Sequence, residues 1–259
     1  MKLFFFTLAL FFTHLAFGAA DDVDSYFSTL SALNRYSPLD GAGSHGGLGL
    51  QVGAGAGVTQ VDHSSILLNE QLHYSQSDSQ SGKQTLLSDT APQSIYQPKL
   101  YLLKGLYAPV DIGATYSILD SRRISQLMGH VQVTLFEGFQ LPAVALRLNY
   151  GKLFGLYSSE FSSTGLDAVV SYGFLRYFTI YADIGVQKNY GALRVSKEQD
   201  SAYILQNIAD LDESYENLQT SKLAGLHIQI IPAFAVAVLE AQESYVGLKS
   251  YLFKLGFGL

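Results

Sequence analysis

Apolar and polar positions alternate along most of this chain, most clearly at its end. In Tyr245 to Leu259, the residues Tyr245, Tyr251, Phe253, Leu255, Phe257 and Leu259 share one face of an extended segment. Val246, Leu248, Ser250, Leu252, Lys254, Gly256 and Gly258 share the other. A period of two marks a strand with one apolar face. Such a crowd of aromatics on one side fits a strand whose outer face meets lipid, with aromatic girdles at the interfaces.

The same alternation predicts nine further strands. They are His45–Val61, Lys99–Leu106, Pro109–Leu119, Ile124–Phe136, Ala143–Leu153, Thr164–Gly173, Phe178–Tyr190, Lys222–Ile230 and Ala233–Ala241. Each is close to the about 9–11 residues a tilted strand needs to cross a bilayer. The first is glycine-lined: Leu48, Leu50, Val52, Ala54, Ala56 and Val58 lie on one face, and Gly47, Gly49, Gly53, Gly55 and Gly57 on the other. Glycine at every second position is not a phosphate loop, because no Lys-Ser/Thr pair or helix start follows it. Leu223 to Ala241 carries His227, Gln229 and Pro232 at its centre, so a hairpin suits it better than a spanning helix.

The connections sort by length. Odd-to-even joins include Asp62–Pro98, Phe154–Ser163 and Gly191–Ser221, whereas even-to-odd joins such as Tyr107-Ala108, Glu137–Pro142 and Ile231-Pro232 are all short. Short periplasmic turns and longer external loops are expected of an outer-membrane barrel, and both termini are then expected in the periplasm. The predicted fold is therefore all-β, an up-and-down antiparallel transmembrane barrel of about ten strands.

Ahead of the barrel, Lys2, the apolar run Leu3–Phe12 and Gly18-Ala19-Ala20 predict a cleaved export signal over residues 1–20. Residues 21–44 form a separate N-terminal segment and 45–259 the barrel. Tyr26, Phe27, Leu30 and Leu33 recur at helical spacing behind Asp21, Asp22 and Asp24. A periplasmic tail is the expected state of this segment; a plug tucked into the barrel mouth is the alternative.

Composition narrows the function classes. The chain has no cysteine, which excludes disulfides, thiolate metal sites and a lipidated N-terminal Cys. A net charge of −6 without a basic patch argues against a nucleic-acid partner. No metal-ligand spacing stands out, no cofactor is expected, and Ser171 shares a strand face with Asp167 but lies too far along it to act as a nucleophile. The chain is not expected to be an enzyme.

Three even-to-odd turns look like copies of one another, beginning Gly105-Leu106, Gly138-Phe139 and Gly173-Phe174. Repetition at hairpin period suits an up-and-down barrel. Several stretches carry a family likeness: Tyr36-Ser37-Pro38-Leu39 before the glycine-rich strand, Lys104-Gly105 with Asp111-Ile112-Gly113, Leu141 to Arg147, Tyr181-Ala182-Asp183-Ile184-Gly185 and Lys254-Leu255-Gly256-Phe257. In these the chain resembles an uncharacterised family of bacterial outer-membrane β-barrel proteins. The resemblance implies the bacterial outer membrane as location, and its C-terminal signature implies recognition by the barrel-assembly machinery. It carries no ligand or catalytic residue.

If the apolar faces meet outer-membrane lipid, the opposite faces line a lumen. Candidate lumen residues are His130, Arg147, Asp167, Asp183, His227 and Lys254, the first five forming a band near mid-height. Lys104 and Asp111, also expected to face the lumen and flanking one short turn, are expected to pair there. A salt-bridged polar core accounts for such a band, since buried charges need partners; a constriction selecting small solutes by charge is the functional reading. In the connection Gly191–Ser221, the residues Ile204, Ile208, Leu211, Tyr215 and Leu218 recur at three- and four-residue steps, which predicts an amphipathic helix serving as a lid. Two functions follow: a narrow or lidded pore for small solutes, or a non-conducting envelope protein acting through its external loops.

Overall fold

Period-2 segments bury nothing alone, and here they satisfy their backbone groups by pairing edge to edge until the sheet closes. A computed structural model describes residues 22–60, 94–107, 109–119, 124–138, 141–156, 159–174, 177–195, 211–231, 234–244 and 248–258. Within these residues the strands are β1 (Leu50–Gln60), β2 (Ser94–Gly105), β3 (Val110–Ile118), β4 (Ser125–Phe136), β5 (Ala143–Phe154), β6 (Ser159–Phe174), β7 (Phe178–Val195), β8 (Leu211–Ile231), β9 (Phe234–Ser244) and β10 (Lys249–Gly258). A helix, α1 (Asp22–Leu33), precedes them. Each strand pairs antiparallel with its sequence neighbours, and β1 pairs with β10, so the ten described strands form a closed up-and-down barrel. The closing register runs from Gln51 opposite Gly258 to Thr59 opposite Ser250. Closure leaves no strand edge exposed along the seam.

The faces are inverted relative to a water-soluble protein. Leu100, Leu102, Val131, Leu146, Leu148, Leu166, Ile184, Tyr251, Phe253 and Leu255 point outward and are exposed. Gln97, Lys99, Gln126, Gln132, Arg147, Asn149, Asp167, Gln187 and Lys254 point inward and are buried. An apolar outside around a polar inside is the arrangement a bilayer imposes on a barrel. No helix of the described residues is long and apolar enough to cross a membrane.

Several strands exceed their predicted lengths, and β2 begins at Ser94 rather than Lys99. β6 begins at Ser159 rather than Thr164, β7 runs on to Val195, and β8 starts at Leu211, eleven residues before the expected Lys222. The lid helix is overturned where it can be seen. Leu211, Tyr215 and Leu218 belong to β8, paired against Val195, Gly191 and Lys188 of β7, and Ile204 and Ile208 lie outside the described residues. Steps of three and four do not hold one face of a strand: Tyr215 turns inward while Leu218 stands 65% exposed on the outside. Pairing along the whole of β7 satisfies every ladder position, which a local helix could not do for β7. The export signal and most of the polar connection 62–97 also lie outside the described residues.

Candidate functional site: the plugged lumen

The N-terminal segment is the largest departure from the sequence reading. It is not a tail but fills the barrel. Tyr26, Phe27, Leu30, Leu33, Tyr36, Leu39 and Ala42 are all essentially inaccessible, with Arg35 and Asn34 between them. The helical spacing of Tyr26, Phe27, Leu30 and Leu33 puts an apolar stripe on α1. That stripe packs against Ile95, Leu119, Ile124, Leu153, Phe161 and Leu193. All six sit at strand ends beside the odd-to-even connections, so α1 stops the mouth that carries the long loops.

From there the chain descends the lumen, and β6 records the descent. Tyr26 Oη is 2.8 Å from Ser159 Oγ, Asn34 Nδ2 donates to Ser163 Oγ at 2.9 Å, and Ala42 N donates to Ser171 Oγ at 3.0 Å. Strand β4 gives the same order: Gln126 donates to Leu33 O at 2.7 Å, Gln132 to Gly41 O at 3.2 Å, and Thr134 to Ala42 O at 2.8 Å. Ser44 N reaches Glu137 beyond the end of β4, at the short-turn rim. The inward amides and hydroxyls thus satisfy a backbone that has no ladder of its own.

At mid-height Arg35 supplies the charge the strands lack. Its Nη2 lies 2.8 Å from Asp167 Oδ1 and 3.3 Å from Asp183 Oδ1. Arg147 Nη1 is 3.5 Å from Asp183 Oδ2, and its other nitrogens donate to Gln132 Oε1 at 2.8–3.1 Å and to Asp40 O at 3.3 Å. Asn149 donates to Asp167 at 2.7 Å. Gly185 faces this cluster because a Cβ there would collide with the Asp167 carboxylate. Of the predicted band, Arg147, Asp167 and Asp183 therefore come together, through a residue outside the barrel wall. His130 is hydrogen-bonded through Nδ1 to the Tyr36 hydroxyl. His227 sits lower, 3.8 Å from Asp40.

Lys254 does face the lumen. Its ammonium donates to Gln51 Oε1 at 2.5 Å, to Pro38 O at 3.0 Å and to Leu39 O at 3.5 Å. One side chain of the closing strand thereby ties the plug to β1, and Gly53 leaves room for its stem, since a Cβ would stand 3.2 Å from Lys254 Cγ. Leu39 adopts φ +55°, a left-handed conformation unusual for a γ-branched residue. Its side chain is locked among Tyr101, Tyr181, Leu223 and Leu252.

The pair Lys104–Asp111 does not form. The register sets Gly105 opposite Asp111 and Lys104 opposite Ile112, which turns Lys104 to the outer face, where it donates to Gly47 O at 3.1 Å. A one-residue difference in parity reverses a side chain's face. Asp111 instead holds His45: its Oδ2 is 3.2 Å from Nδ1, while Asp40 Oδ2 is 3.0 Å from Nε2 on the other side of the ring. Burial pushes the His45 imidazole down, but Asp40 and Asp111 outweigh it and raise it to about 10. Tyr26 and Phe27 of α1 lie at the long-loop mouth, and β10 runs down to the opposite rim beside the start of β1.

A cavity of about 10 Å3 beside Ser31, Arg35, Gln187 and Gln219 has room for about one water. Among the described residues no group of His, Asp and Glu is arranged to hold a metal ion. Sequence reasoning missed Arg35 and Asp40 because they precede the strands, and His45 because the predicted first strand began on it whereas β1 starts at Leu50; the one available signal was a fixed charge at Arg35 inside an otherwise apolar-spaced segment.

No family model matches the chain, and no curated protein does. Among solved structures, the attachment invasion locus protein Ail of Yersinia pestis is 12% identical, with 82% of this chain and 99% of that chain covered and a TM-score of 0.32. The N-terminal β-barrel domain of OprF from Pseudomonas aeruginosa is 13% identical, covering 83% and 99%, with a TM-score of 0.33. The translocator domain of the autotransporter NalP from Neisseria meningitidis is 12% identical, covering 83% and 89%, with a TM-score of 0.37. At this level of similarity the architecture rests on the strand pairing itself: the described residues form a closed antiparallel barrel of ten strands occupied by the N-terminal segment 22–43.

Proposed function

We propose that this protein is a bacterial outer-membrane barrel held closed by its own N-terminal segment, a non-conducting envelope protein in its resting state rather than an open pore. The carrying observation is Arg35, whose guanidinium reaches from the plug to both Asp167 and Asp183 on the neighbouring strands β6 and β7. Moving the plug aside would take Arg35 from Asp167 and leave Asp183 to Arg147 alone, and breaking one partner out of a buried ion pair costs about 3–5 kcal/mol. Outer-membrane lipid covers the apolar outer face, and the barrel-assembly machinery reads the aromatic face of β10 during insertion. No catalytic role is proposed.

A gated pore is the second reading. The walls remain polar from Gln97 and Gln126 down to Gln51 and Lys254, so a lumen without its plug would hydrate and pass small solutes selected by charge. Planar-bilayer recording separates the two. The wild type is expected to be silent, and a variant lacking residues 22–43 that still shows heat-modifiable migration is expected to conduct. Steady conductance of the wild type, equal to that of the deletion, would sink the closed-barrel reading.

A further inference from the structure

The direction of the plug has a consequence for where the processed N-terminus ends up. Three observations fix that direction. Tyr26 and Phe27 sit at the level of Ser159 and Phe161, at the start of β6 beside an odd-to-even connection. Asn34 sits at Ser163, Arg35 at Asp167 and Ala42 at Ser171, in steady progress along the same strand. His45 then meets Asp111 at the opposite rim, where β1 begins. Residues 22–43 therefore cross the full height of the barrel, and they cross it from the long-loop mouth to the short-turn rim.

We infer that this segment is an eleventh crossing of the membrane, threaded through the lumen so that the mature N-terminus is displayed on the same face of the membrane as the long connections, opposite the C-terminus. The inference rests on the outer-membrane reading for the words inside and outside. Which barrel face carries residue 22 does not depend on it. A segment drawn up from the periplasm would give the reverse order along β6 and β4, or would leave Arg35 on the wrong side of the Asp167–Asp183 level.

The absence of cysteine makes the test clean, because any introduced thiol is the single reactive one. Three variants are labelled on whole cells with a membrane-impermeant maleimide: Asp22→Cys at the start of α1, Ser79→Cys in the long connection between β1 and β2, and Tyr107→Cys in the short turn between β2 and β3, where Tyr107 is 96% exposed. The expected result is labelling of Asp22→Cys and Ser79→Cys in intact cells, with Tyr107→Cys reacting after permeabilisation. If Asp22→Cys reacts together with Tyr107→Cys and apart from Ser79→Cys, the threading is overturned. If Ser79→Cys is protected and Tyr107→Cys is open, the orientation of the barrel is wrong, yet Asp22→Cys must still follow Ser79→Cys for the threading to stand.

Cross-linking decides the matter where the thiol at position 22 is protected in every preparation. The double variants Asn34→Cys with Ser163→Cys and Ala42→Cys with Ser171→Cys place thiols at hydrogen-bonded positions, one pair in the upper half and one in the lower. Both are expected to close a disulfide in the assembled barrel. Failure of both, in protein that retains heat-modifiable migration, would contradict the inference.

Discussion

The two halves of the plug are held in different ways. The upper half, α1, is fastened by apolar packing: Phe27 stacks on Tyr215 with centroids 4.6 Å apart and on Phe161 at 6.1 Å, while Leu30 and Leu33 fill the rest of the mouth. Gly191 is the wall residue that admits the Phe27 ring, which a Cβ there would strike. The lower half, Asn34 to Gly43, has no repeating structure; apart from Leu39 in its apolar cluster it is fastened by polar contacts, from Arg35 to Asp167 and Asp183 and from Arg147, Lys254 and the inward glutamines to its backbone. Apolar packing tolerates small displacements, whereas a buried charge network is satisfied in one arrangement only. The mouth supplies adhesion and the lower lumen supplies register.

That contrast ranks the expected effects of substitution. Arg35→Ala should do most damage, destabilising the barrel by about 3–5 kcal/mol, since Asp167 and Asp183 are left buried and under-compensated. Urea unfolding in detergent reads this, and adding Asp167→Asn to the variant should recover part of the loss. Arg147→Ala should cost less, because Asp183 keeps Arg35. An equal loss in the two variants would contradict the assignment of Arg35 as the principal counter-charge.

Phe27→Ala should cost about 3 kcal/mol, the lower end for truncating a buried aromatic. It should loosen α1 without shifting Ala42 from Ser171, so the cross-link between positions 42 and 171 should still form. Loss of that cross-link would mean that the two halves dock as one unit. Lys254→Met keeps the stem and removes the ammonium from Pro38, Leu39 and Gln51. A cost of about 2 kcal/mol is expected from lost charge-assisted bonds, seen as earlier thermal loss of the folded band on unheated gels.

A further effect is a pH dependence at the lower rim. His45 is raised from 6.5 to about 10, so its contribution is complete below pH 6.5 and is lost as pH rises towards 10. Stability of the wild type should fall across that window more than that of His45→Gln. Parallel curves for the two proteins would remove the Asp40–His45–Asp111 clasp from the account.

Much of the wall was legible in the sequence. A period of two, summed over ten segments, determines which face meets lipid, and Gln51, Val52 and Gly53 or Ser250, Tyr251 and Leu252 obey it residue by residue. The lumen residues His130, Arg147, Asp167, Asp183 and Lys254 follow from the same parity. Lys104 did not, because the register of a hairpin is set at its turn and pairing by distance from the turn ignores which face each residue occupies. Leu211, Tyr215 and Leu218 misled because three-residue and four-residue steps occur by coincidence in a strand. The plug stood only as the alternative to a tail for a deeper reason: periodicity reports how a segment folds, and nothing in Tyr26, Phe27, Leu30 and Leu33 says which surface will cover them. Their partners lie more than 60 positions away in sequence, at Ile95 and beyond.

Hydrogen–deuterium exchange of the folded protein in detergent tests the central claim most directly, by reading the amides of residues 26–42. A plug held by α1 and by the Arg35, Arg147 and Lys254 contacts predicts protection of these amides comparable to that of the barrel strands. Exchange at the rate of an unstructured peptide, with the strands still protected, would contradict it.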